Sequence, residues 1–81
     1  MSWRIEINAP GKLILISRGL RIAASIPCVV VDISEGGALI EAESPVDDAE
    51  FYLEIDKEPE TLRLCSVARR VSPRRLGVKF V

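Results

Sequence analysis

Apolar residues along this chain fall into short runs, alternating with polar residues or solidly aliphatic, with polar and glycine-containing breaks between them. A period of two bounded by turn residues predicts strands. Arg4-Ile5-Glu6-Ile7 alternates and predicts a short extended arm, and Asn8-Ala9-Pro10-Gly11 is turn chemistry. Lys12 to Ile16 is too short for a helix and too apolar for a loop, and reads as the first barrel strand. Ser17-Arg18-Gly19-Leu20 follows as a hairpin loop in which Gly19 is free to take a positive φ. Arg21 to Val31 is a long second strand with Pro27 at an edge or bend. A corner at Asp32–Gly37 leads into Ala38–Ala42.

Glu43 to Ala49 reads as a loop, and Glu50–Ile55 then alternates with Phe51, Leu53 and Ile55 inward and Tyr52 and Glu54 outward. Asp56-Lys57-Glu58-Pro59 is a polar hairpin loop. Along Thr61 to Val71 the inward set moves from Leu62 and Leu64 to Val67 and Val71, a change of parity that predicts a bulge near Cys65-Ser66. Ser72-Pro73-Arg74 turns the chain, and Leu76, Val78 and Phe80 form the last inner face. These segments predict an all-β protein: a six-stranded antiparallel closed barrel with little or no helix. The 81 residues make one domain, an arm over 1–9 and a barrel over 10–81.

Composition narrows the function. Hydrophobic content is 48% but aromatic content only 5%, so the core is aliphatic and small for the chain entropy it must offset. A net charge of −1 argues against a general polyanion binder, and too few aromatics interleave with the basic residues to stack bases, so no DNA or RNA partner is expected. The longest aliphatic run, Leu13-Ile14-Leu15-Ile16, is far short of the ~20 residues of a membrane span. No secretory signal is visible, and a cytoplasmic location is expected. Cys28 and Cys65 lack metal-ligand spacing and read as core hydrophobes in a reducing compartment, with a disulfide between them as the alternative. With no histidine and no paired carboxylates in an apolar setting, neither catalysis nor a metal or cofactor is expected.

Charge is unevenly placed. Glu41 to Glu60 is acidic apart from Lys57, whereas every charge from Thr61 onward is positive: Arg63, Arg69, Arg70, Arg74, Arg75 and Lys79. Adjacent strands could bring the two halves together and neutralise them, or the last hairpin could present a basic face to an anion or an acidic partner.

The corner carries the candidate chemistry. Asp32 can accept from amide or base N–H groups, Ser34 can donate or accept, and glycines at Gly36 and Gly37 let a flat or anionic ligand approach the backbone. The same residue types also serve any tight turn.

Asp32-x-Ser34-x-x-Gly37, Cys28 before it, the Arg4 to Gly11 opening, Cys65-x-Val67 and the Gly77-Val78-x-Phe80 ending together resemble the PilZ domain family. The resemblance covers nearly the whole chain. It implies a small barrel that binds cyclic diguanylate (cyclic di-GMP) in bacterial second-messenger signalling. In that family an Arg-x-x-x-Arg segment folds over the corner and supplies base and phosphate contacts, while the corner holds a guanine edge. Arg4 stands in the place of the second arginine, and the first has no counterpart within these residues. A hydrogen bond to a charged group contributes about 1.5–3 kcal/mol, and each ~1.4 kcal/mol is tenfold in affinity, so the resemblance implies weakened binding. Arg69 and Arg70 lie where the family often has Trp-Arg, and either could reach a phosphate. Arg18 and Arg21 are three apart and read as a solvated hairpin loop, and Trp3 either packs over the barrel's open end or stacks on a guanine.

The expected ligand contacts are therefore Arg4, Asp32, Ser34, Gly36 and Gly37, with Arg69 and Arg70 as additional phosphate contacts. Two functions remain open at this point. One is a cyclic-diguanylate receptor or adaptor; the other is a degenerate barrel that ignores nucleotides and docks a partner protein through its basic C-terminal hairpin or its exposed first hairpin.

Overall fold

The computed structural model describes residues 4–15, 24–56 and 58–81. Six strands follow one another: β1 (Arg4–Leu15), β2 (Ala24–Ser34), β3 (Gly37–Ala42), β4 (Glu50–Ile55), β5 (Glu58–Arg70) and β6 (Arg75–Phe80). All pairs are antiparallel, in the order β1-β2-β3-β6-β5-β4, and β4 closes back on β1. The expected barrel is the one observed. Closure pairs Gly11–Leu15 of β1 with Phe51–Ile55 of β4, which shields those edges from pairing with another chain.

The core is aliphatic, as composition predicts. Leu13, Val30, Ile40, Leu53 and Leu76 are fully buried around Phe51, and Cys28 and Cys65 are buried and free. The connection from β3 to β4 crosses one end of the barrel. Its Val46 is buried and plugs that end, anchored by a bond from its N–H to the Pro73 carbonyl at 3.0 Å.

Strand boundaries differ from the expectation in three places. The arm at Arg4–Ile7, the turn at Asn8–Gly11 and the strand from Lys12 are one continuous strand, β1. Gly11 is therefore no turn residue: a Cβ on it would stand 2.5 Å from the Glu54 carbonyl oxygen, and its bare backbone lets β1 and β4 close together. The corner is also shorter than expected, since β2 runs through Ser34 and only Glu35 and Gly36 separate it from β3. Finally, β5 begins at Glu58, inside the segment read as a hairpin loop.

The inward set of β5 is corrected as well. Leu62 lies opposite Glu54 and Leu64 opposite Tyr52, both outward positions, and Leu62 is 51% exposed. Cys65, opposite Phe51, is the buried residue. Val71 lies beyond the strand and is 53% exposed. The bulge falls at Ala68 rather than at Cys65-Ser66. Leucines suggested the wrong face because the inward position between them belongs to Arg63, which covers the barrel end with its guanidinium 4.9 Å from the Phe80 ring centre. The hairpin expected at Ser17–Leu20 lies outside the described residues.

Candidate functional site

Bulges aim the polar residues of the site. On β2, Cys28 and Val30 point inward, and an unbroken strand would put Asp32 beside them, a carboxylate in an aliphatic core. Val31 is the extra residue: Val30 pairs with Ile40, but Asp32 pairs with Leu39, the outward position between buried Ala38 and Ile40. Asp32 is thereby turned to the outer face. Across from Val31, β1 bulges too, with Ile7 and Asn8 between the Glu6–Asp32 and Ala9–Val30 pairs. Asn8 takes φ 46°, a left-handed conformation that asparagine tolerates better than a β-branched residue. On β5 the extra residue Ala68 does for Arg69 what Val31 does for Asp32. Val67 faces Val78 in the core side, yet Arg69 faces outward Gly77.

These strands enclose an open cavity of about 460 Å³ on the outside of the barrel. Arg4, Ser34, Gly36, Gly37 and Arg69 line it, together with Gly77 and Lys79 of β6. Asp32 adjoins it through Arg4, whose Nε lies 3.4 Å from Oδ1 of the carboxylate. The contact is an ion pair without a directed hydrogen bond, so among the described residues buried Asp32 Oδ1 has no hydrogen-bond partner. Asp32 is 8% exposed, and the Arg4 side chain is 69% exposed. Glu6 stands directly opposite Asp32, a like-charge neighbour that gives it no help.

The corner residues divide by what the fold already asks of them. Ser34 Oγ donates to the Gly37 carbonyl at 3.2 Å and so ties the corner. Gly37 is demanded by packing, since a Cβ would lie 2.1 Å from the Val78 carbonyl oxygen. Gly36 is different: its carbonyl accepts from the Phe80 N–H at 2.9 Å, but a Cβ on it would meet nothing within 4 Å. Asp32 and Gly36 are thus the two corner residues whose identity the barrel itself does not explain.

Residues 2–81 match the PilZ domain, essentially the whole chain. The chain belongs to the PilZ domain family. No curated protein and no solved structure matches it. PilZ domains are binding domains of the cyclic-diguanylate type in signalling rather than a catalytic family. No helix among the described residues is long and apolar enough to cross a membrane.

Within this PilZ barrel, Arg4, Ser34, Gly36, Gly37 and Arg69 line one cavity, and Asp32 adjoins it through Arg4. Arg70 does not join them. Its guanidinium donates to the carbonyls of Val46, Asp47 and Asp48, the last two at 3.1 Å, and clamps the loop that plugs the far end. Adjacent strand residues face opposite sides, so Arg69, opposite Gly77, faces the outer cavity while Arg70, opposite buried Leu76, reaches the loop. Arg18, Arg21 and Trp3 lie outside the described residues.

The other cations of the last hairpin also separate. Arg75 pairs with Glu41 directly across β3 and β6 at 2.8 Å, the neutralisation foreseen for adjacent strands. Arg63 covers Phe80. Arg69 and Lys79 are left on the cavity, where no carboxylate among the described residues pairs with them. Lys79 and Gly77 stood in the basic hairpin and in the Gly77-Val78-x-Phe80 ending, but were not among the expected ligand contacts. The available signal was a glycine in the middle of an alternating strand, followed by a lysine at the next outward position.

The cysteines take no part in the site. Burial pushes the Cys28 thiol up to about 12, with Asp56 and Cys65 adding to it. Burial raises Cys65 to about 11 against a lowering by Arg63. Both are neutral thiols at physiological pH, and therefore poor nucleophiles.

Proposed function

We propose that this PilZ domain is a receptor for cyclic diguanylate, acting as a sensor or adaptor in bacterial second-messenger signalling. The observation that carries this reading is the buried Asp32 carboxylate oxygen with no donor among the described residues, beside a cavity lined by cations. Guanine offers N–H donors on its pairing edge that a carboxylate accepts, and O6 and N7 acceptors that suit an arginine fork. Phosphates take charge-assisted bonds from the same arginines. In this reading Asp32 and Ser34 hold a guanine edge, the open space at Gly36 admits the purine, and Arg4 and Arg69 receive phosphate or base. The cavity falls within the roughly 300–1,000 Å³ of small-molecule sites. The nucleotide is a ligand rather than a cofactor, and a cytoplasmic location goes with it.

The test is a calorimetric titration of the chain with cyclic diguanylate, with GTP as control. Saturable binding of cyclic diguanylate alone, lost in Asp32→Ala and in Arg4→Ala while both variants stay folded, supports the reading. No heat from a barrel shown to be folded overturns it and favours a nucleotide-independent docking module.

A further inference from the structure

We propose that β6 carries a phosphate-receiving subsite, with Gly77 as its floor and Lys79 and Arg69 as its cations, so that a bound dinucleotide spans from the corner to the last strand. This deepens the receptor reading and rests on it.

Three observations lead there. Gly77 sits half-buried in the middle of β6, where glycine weakens a strand. Nothing in the barrel requires it: a Cβ there would meet only Arg69 atoms at 3.8 Å, ordinary contact, and unlike Gly37 it is pressed against no carbonyl. A mid-strand glycine without a packing reason marks a place where something else approaches the backbone. On the outer face, the space above Gly77 belongs to the cavity.

Two cations border that space from different strands. Lys79 follows Gly77 on the same outward side of β6 and lies opposite Gly37, whose missing side chain leaves it unobstructed. Arg69 lies directly opposite Gly77, and it faces outward only because Ala68 shifts the register. Spending a bulge to turn an arginine away from the core and over a bare strand has a clear use if an anion lies there. Both cations lack a carboxylate partner among the described residues, whereas Arg75 on the same strand has Glu41. Arg4, the remaining cation of the cavity, lies at the corner beside Asp32, away from β6. The charge available for a second phosphate therefore comes from Lys79 and Arg69. A compact ammonium beside a planar guanidinium suits a phosphodiester, which takes a point charge from one and a fork from the other.

The experiment compares cyclic-diguanylate titrations of the unmodified chain with Lys79→Gln, Lys79→Arg, Gly77→Ala and Asp32→Asn, with the thermal midpoint of each. Expected is about tenfold or greater weakening in Lys79→Gln, the loss of one charge-assisted bond, and recovery in Lys79→Arg. Gly77→Ala is expected to weaken binding while its melting midpoint is unchanged or higher. If Lys79→Gln and Gly77→Ala bind as the unmodified chain does, while Asp32→Asn does not, the subsite is wrong and the receptor reading stands. If the unmodified chain binds nothing, both fall.

Discussion

Gly37 and Val78 approach so closely across β3 and β6 that a single methyl group on Gly37 would stand 2.1 Å from the Val78 carbonyl oxygen. The neighbour is backbone held in a closed barrel, so it cannot swing away. Gly37→Ala is therefore expected to cost at least about 1–3 kcal/mol, lowering the thermal midpoint by roughly 4–8 °C per kcal/mol. Gly36→Ala, one residue earlier and in open space, should melt within a few degrees of the unmodified protein and weaken nucleotide binding. Paired melting curves and titrations check this; equal melting of the two variants would refute it.

Asp32 separates ligand binding from stability. Among the described residues its one charged contact is to an exposed arginine, and such ion pairs contribute about 0–1 kcal/mol. Glu6 opposite it is a like charge. Asp32→Asn should leave the urea midpoint unchanged or raise it, while cyclic-diguanylate affinity falls about tenfold or more. A strongly destabilised but still binding variant would contradict the assignment.

Neighbouring arginines on β5 should behave as opposites. Arg70→Ala removes three bonds to the loop carrying Val46 and is expected to lose about 1–3 kcal/mol, tempered because two of those bonds are exposed. Its effect on binding should follow folding alone. Arg69→Ala should stay within about 0.5 kcal/mol of the original in stability but bind more weakly. Urea denaturation beside titration distinguishes the two.

Alkaline stability should report on the buried thiols. Cys28 and Cys65 are raised from 9.0 to about 12 and about 11, so between pH 9 and those values the folded form holds protons that the unfolded chain releases. Their contribution is fully present below pH 9 and is lost as pH rises through the folded values. A Cys28→Val, Cys65→Val double variant should show a shallower decline of the urea midpoint above pH 9. Identical slopes would show that other groups govern that range.

The strands, their number and the closed barrel were legible because alternation and turn residues are local signals. The faces of β4 and β6 were legible as well, but those of the bulged strands were not, because a bulge is one ordinary residue. Val31 continues a run of valines, and nothing about it announces that Asp32 beyond it turns outward. Ala68 is equally unmarked, which made Arg69 and Arg70 look interchangeable. Asn8 did carry a signal, but asparagine beside Pro10 and Gly11 suggested a turn rather than a bulge inside a strand. Leu62 misled because hydrophobicity alone placed it inward, while its position opposite Glu54 is set by pairing. Of the site, the corner motif could be read directly. Gly77 and Lys79 required the β3–β6 neighbour relation, which joins residues some forty positions apart in the chain.

The cavity draws on Arg4 of the first strand and on Gly77 and Lys79 of the last, and the Phe80 N–H bond to the Gly36 carbonyl fastens that last strand to the corner. No partly folded chain can present this surface, since it exists only once β6 has docked between β3 and β5. A ligand held there favours the closed ring alone, adding RT ln(1 + [L]/Kd) to its stability. The messenger would then act as a temporary clasp between β1 and β6.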